Sequence, residues 1–161
     1  MYKLTKTLYG LQMTRNLNDF LSTQNNKKYS TQKGTKIHTV LKTVILDAVS
    51  GNSGDSEIIR QIEQYPDLKP FFVASARTEV PVAGIINGVF LSRRIDRMVI
   101  DNNTKTITFL DYKTDTDKQT FIEKYKKQLS EYAQLLHSAF PNYKITGYIL
   151  WLHDWELEKI V

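Results

Sequence analysis

The strongest constraint on the fold lies between Arg94 and Leu152. Arg94 to Ile100 and Thr106 to Tyr112 are rich in β-branched and apolar residues, and Asp101-Asn102-Asn103 supplies turn chemistry between them. From Phe121 to Ala139 the period becomes helical, with Ile122, Tyr125, Leu129, Tyr132, Ala133 and Leu136 on one stripe. Pro141 ends that helix. Lys144 to Leu152 then returns to alternation through Ile145, Gly147, Ile149 and Trp151. Upstream, Ala74 to Val82 alternates around Glu79, and Ala83 to Leu91 reads as strand broken by a glycine-containing turn or bulge. Antiparallel strands followed by a crossover helix and one more strand imply an α/β fold: a mixed central sheet flanked by helices.

The chain before this block is helical and polar. Ile37, Val40, Leu41, Val44, Ile45 and Ala48 recur at helical spacing, with Thr35 as N-cap and Gly51 closing the pattern. Asp55 to Gln64 reads as a short helix capped by Asp55 or Ser56 and stopped by Pro66 and Pro70. Residues 1–33 form a polar extension, with a short helix expected at Asn16 to Leu21 and a loop at Ser22 to Lys33. The 161 residues suit one domain, with its core at 34–152, and Glu156 to Val161 reads as a charged tail.

Composition removes several classes of chemistry. The chain has no cysteine, which excludes a disulfide, a thiolate nucleophile, a cysteine zinc site and a cysteine-held iron–sulfur cluster. That usage fits a reducing, cytoplasmic setting. No apolar run reaches the roughly 20 residues that span a bilayer, so no membrane association is expected. A net charge of +5 is compatible with a polyanionic partner such as DNA. There is no P-loop, no glycine-rich dinucleotide fingerprint and no Gly-x-Ser-x-Gly.

The remaining chemistry gathers on the two central strands. Asp96 and Asp111 can meet at a sheet edge, and two carboxylates suit Mg²⁺ or Mn²⁺. The structural alternative pairs Asp96 with Arg97 or Arg94 and lets Asp111 simply end a strand. Strand period puts Lys113 on the face of Asp111 and Tyr112 on the other. A lysine there can steady charge developing on an attacked phosphodiester. His38 offers an imidazole nitrogen that suits Mn²⁺ better than Mg²⁺; a histidine satisfied by a backbone carbonyl is the alternative. Gln128 and Tyr132, four apart on the long helix, share a face and can present an amide and a phenol to the site. Glu79 is an additional ligand candidate or an ion-pair partner of an arginine. Lys124, Lys126 and Lys127 form either a phosphate-contacting patch or a solvated face.

Taken in order, Gly34-Thr35-x-x-His38, Ile95-Asp96-Arg97, Asp111-Tyr112-Lys113-Thr114 and Gln128-x-x-x-Tyr132 resemble the RecB-like branch of the PD-(D/E)XK nucleases. The likeness runs from about Gly34 to Trp151 and is nearest to the C-terminal nuclease domain of AddA-type helicase–nucleases. It implies a restriction-endonuclease-like fold and metal-dependent hydrolysis of DNA, as an exonuclease in double-strand break repair and recombination. It further implies that His38, Asp96 and Asp111 hold the metal and that Lys113 stabilises the reacting phosphate. Gln128 and Tyr132 would support the site from the helix, with Tyr112 packing behind it. A helicase or ATPase subunit is the implied protein partner, since the chain carries no Walker motif of its own. A module that binds DNA or a helicase without cleaving, and a ribonuclease, are the alternatives.

Overall fold

The computed structural model describes residues 37–47 and 51–161, all but Ile37 falling within one unit, His38–Val161. The expectations for residues 1–33 and for the Thr35 cap lie outside the described residues. The architecture is α/β: a five-stranded mixed sheet in the order β1-β2-β3-β4-β5, flanked by helices.

β1 (Arg77–Ile86) and β2 (Val89–Asp101) form a long antiparallel hairpin closed by Asn87-Gly88. Both turn residues have positive φ, 51° and 78°, as a two-residue hairpin of this twist requires. The broken strand expected over Ala83 to Leu91 is therefore a tight turn between two strands. Its tip leaves Ile85, Val89 and Phe90 exposed. β3 (Thr106–Lys113) runs antiparallel to β2, and β4 (Lys144–Trp151) runs parallel to β3. The parallel step needs a crossover, supplied by helix α2 (Lys118–Ala139). The Asp117 side chain caps that helix by accepting from Thr120 N–H.

The expected charged tail is instead a fifth strand. β5 (Glu156–Lys159) pairs antiparallel with β4. Its inward Leu157, with Ile160 and Val161 just beyond it, supplies apolar surface, and Glu158 accepts a hydrogen bond from Trp151 Nε1 at 2.9 Å. Short strands with alternate charges read poorly against a solvated tail.

The early helix also ends sooner than its periodicity predicts. Residues 37–41 are helical, but Thr43 and Val44 bond back only three residues, to Val40 and Leu41. Ile45 then forms a β-bridge with Ser53. The β-branched run Thr43-Val44-Ile45 resists helix and favours this extended exit. Helix α1 (Ser56–Glu63), capped by Asp55, leads into a 3₁₀ segment at Pro66–Phe72.

Period two sorts β3 and β4 between two cores. On one face Ile107, Phe109, Ile149 and Trp151 pack beneath Tyr125, Leu129, Tyr132 and Leu136 of α2. Gly147 is required there: a Cβ would lie 2.2 Å from Phe109 Cζ, so the missing side chain makes room for the ring. On the other face, Tyr148 meets Phe71 edge-on at 5.8 Å, and Leu41, Val44, Leu68 and Phe72 are buried. These two layers set the C-terminal end of β3 between α2 and the His38 segment.

Candidate active site

The site begins where the β2–β3 ladder stops. Arg97 pairs with Leu110, and no pair follows, so the strands separate at Asp96 and Asp111. Asp96 Oδ2 fills the gap by accepting the Tyr112 backbone N–H at 2.7 Å. The carboxylate thus takes over a backbone donor that a continued ladder would have used. On the other side of Asp96 the β1–β2 pairing also skips a step at Glu79, whose φ is +53°. A non-glycine residue in that region is strained by roughly 1 kcal/mol or more.

The structural alternative for Asp96 does not hold. Arg94 pairs with Glu79 at 3.3 Å, and Arg97 bonds no carboxylate among the described residues. Asp96 instead has His38, whose Nδ1 lies 3.8 Å from Oδ1. The His38 ring stands edge-on to Tyr112 with centroids 5.3 Å apart.

Asp111 and Lys113 occupy the face of β3 that meets α2. Lys113 Nζ lies 2.5 Å from Asp111 Oδ2, donates to Gln128 Oε1 at 3.0 Å and sits 4.2 Å from the Tyr125 ring centroid. Gln128 Nε2 donates to Tyr132 OH at 2.5 Å, and Tyr132 OH donates to Asp111 Oδ1 at 3.3 Å. Gln128 and Tyr132 therefore close a ring of contacts with Lys113 and Asp111. One position resists satisfaction: Asp111 Oδ2 is buried and receives no well-angled hydrogen bond, despite the nearby ammonium.

The electrostatics follow from burial and like charge. Burial, joined by the Asp111 charge, pushes the Asp96 carboxyl up to about 7. Burial also holds the His38 imidazole below its usual range, against the attraction of Asp111. Tyr132 is raised above the ordinary phenol range by burial and then by Asp111, so it acts as a neutral donor.

Among the described residues, no three His, Cys, Asp or Glu side chains are already gathered as a cation cage. The donor set nevertheless fits a hard divalent ion. An imidazole at 3.8 Å from one carboxylate and an under-satisfied oxygen on a second supply the ligand types such ions take. Glu79 lies further out, held by Arg94, and acts on Asp96 and His38 only through its field. Of the helix lysines, Lys126 pairs with Glu123 at 2.8 Å, while Lys124 lies 6.0 Å from the Tyr125 ring centroid.

Arg97 and Tyr125 are the polar participants that spacing did not single out. Arg97 is fully buried, and its position beside Asp96 in sequence made it look like that acid's partner. Tyr125 belongs to the apolar stripe, yet its hydroxyl bonds Asp115 and its ring meets Lys113. Neither role is visible without the packing of α2 and the His38 segment. Comparison with family models and with curated protein sequences gives no match.

Proposed function

We propose that this chain is a divalent-metal-dependent nuclease of restriction-endonuclease-like fold that hydrolyses phosphodiester bonds of DNA. The observation that carries this reading is the Asp111 carboxylate. It is buried on the rim beside Asp96, and among the described residues one oxygen lacks an aligned donor and the only ammonium against it belongs to Lys113. Carboxylates are kept in such surroundings where a cation or a reacting group completes them.

His38, Asp96 and Asp111 would hold Mg²⁺ or Mn²⁺, with imidazole favouring Mn²⁺. When bound, that ion would activate a water and neutralise charge on the scissile phosphate. Lys113 sits where it can donate to a phosphate oxygen as negative charge builds. Gln128 fixes the lysine from α2, and Tyr132 fixes Asp111 from the same helix face. Tyr112 presents its backbone N–H to Asp96 and its ring to His38. The net charge of +5 favours encounter with the polyanion. No described helix is long and apolar enough to cross a membrane, and work on DNA ends in the cytoplasm beside a helicase subunit fits the resemblance drawn from sequence.

The test is cleavage of linear duplex DNA by the purified chain with Mn²⁺. Asp111→Ala and Lys113→Ala should each lower the rate by about 10²–10³ or more while the circular-dichroism spectrum stays native. Unchanged cleavage in either folded variant sinks the reading. A second reading has its own observation, the absence of a ready-made three-residue cage among the described residues. It makes the chain a DNA- or helicase-binding module without turnover, and DNA binding with no product under Mn²⁺ selects it. Matched RNA and DNA strands separate a ribonuclease from a deoxyribonuclease.

A further inference from the structure

The most costly buried group in the described residues lies outside the ring of Asp111, Lys113, Gln128 and Tyr132. Arg97 is 1% exposed and has no carboxylate partner among the described residues. Its Nε donates to Tyr112 OH at 2.9 Å and its Nη1 to the Phe71 carbonyl at 2.8 Å. Its Nη2 donates to the carbonyls of Leu41 at 2.6 Å and Val44 at 2.7 Å. The guanidinium also lies 4.1 Å from the Phe72 ring centroid. Each of its three nitrogens is therefore engaged.

An apolar residue would fill this space without desolvating a charge, but it would leave the carbonyls without their donor. What an apolar residue cannot do is hold carbonyls. Of the three carbonyls, Leu41 closes the helical residues that carry His38, and Val44 lies three residues further on. The bonds run from Arg97 on β2, next to Asp96, and reach Tyr112 on β3, between Asp111 and Lys113. A planar guanidinium with its donors in a fixed fork can join these elements at once; a lysine ammonium cannot reproduce that spread.

We propose that Arg97 is a positioning residue that clamps the segment bearing His38 onto the two strands bearing Asp96 and Asp111. Its contribution to metal binding rests on the nuclease reading above. Its hold on His38 does not, and the two are read separately.

The experiment is heteronuclear NMR on the metal-free full chain, paired with Mn²⁺ titration by calorimetry. In Arg97→Lys, cross-relaxation between the His38 and Tyr112 rings should fall severalfold, while that between Phe109 and Tyr132 on the opposite face stays. Mn²⁺ affinity should drop about 10-fold, as for other groups that orient ligands from behind. The drop should match that of His38→Ala, and the double variant should be no weaker than His38→Ala alone. Intact His38–Tyr112 contact in folded Arg97→Lys overturns the clamp, as do losses that add. Should Arg97→Lys not fold, Tyr112→Phe keeps the ring and removes only the Nε acceptor. It should lower the contact between His38 and the ring at 112 about twofold, and an unchanged contact counts against the clamp. A wild-type chain that neither binds Mn²⁺ nor cleaves DNA overturns the nuclease reading while the ring contacts still decide the clamp.

Discussion

Two buried polar clusters lie on opposite faces of β3, one side chain apart in sequence. Around Tyr112 the Arg97 guanidinium meets three carbonyls and a phenol, so each nitrogen has a partner. Around Asp111 the accounting fails: Oδ2 has an ammonium at 2.5 Å but no aligned hydrogen bond, and Asp96 adds like charge nearby. A saturated cluster rigidifies a fold, whereas an under-satisfied one holds back interaction capacity that a ligand can use. The first cluster is architecture and the second is the candidate site.

The largest break in this comparison should come from Asp111→Asn. Cleavage of DNA with Mn²⁺ should fall by about 10³, near 4 kcal/mol in the barrier. Metal-free thermal stability should change little, because the repulsion from Asp96 that the substitution relieves offsets the Lys113 ion pair that it removes. A fall in stability like that of a core deletion would place Asp111 in the architecture. Arg97→Met tests the other face. It strips the donor from the Phe71 and Val44 carbonyls, while Leu41 keeps the Val44 N–H; each carbonyl left unpaired costs about 1–3 kcal/mol, so urea unfolding should show a loss of about 2 kcal/mol or more. A loss under about 1 kcal/mol would mean that the clamp holds little.

The contrast also has a pH signature. Asp96 binds its proton more tightly folded than unfolded, because burial and Asp111 raise its carboxyl to about 7. The stabilisation by that proton is full below about pH 4, the unfolded range, and is lost as pH rises through about 7. Asp96→Asn keeps an acceptor for Tyr112 N–H and abolishes this titration. At pH 8 the metal-free variant should exceed wild type by about 2 kcal/mol or more, the order set by 1.4 kcal/mol per pH unit, with the gap closing towards pH 4. A gap independent of pH would remove Asp96 from the under-satisfied cluster.

Smaller effects sharpen the picture. Gly147→Ala drives a methyl group against Phe109, which meets Tyr132 edge-on at 5.9 Å. Overpacking of this kind costs about 1–3 kcal/mol, and displacement of Tyr132 should slow cleavage as well. Lys118→Ala removes ion pairs to Asp154 and Glu156 at the surface. Its melting temperature should be nearly unchanged, because exposed pairs contribute about 0–1 kcal/mol.

The fold was legible where one period dominates. The two central strands and the α2 stripe follow from local pattern, and so does the mixed sheet, whereas the Asn87-Gly88 hairpin was legible only as a glycine-containing break in a strand. The end of the first helix was not legible, because Val44 and Ile45 keep helical spacing while their β-branched side chains and the Arg97 bonds favour an extended exit. Strand β5 was hidden because alternate charges in Glu156–Lys159 match a tail as well as an edge strand. At the site, period two placed Asp111 with Lys113, and helical spacing placed Gln128 with Tyr132. What spacing could not reveal was the partner of Arg97, since three backbone carbonyls from distant segments leave no mark in composition.

The most direct test is calorimetric titration of Mn²⁺ into the metal-free chain at pH 8, where Asp96 is ionised, alongside Asp111→Asn. The under-satisfied cluster predicts saturable Mn²⁺ binding to wild type and at least a 10-fold weaker response in the variant, with DNA cleavage lost in parallel. Equal binding in both proteins, or no binding to folded wild type, would contradict the assignment of this rim as a cation site.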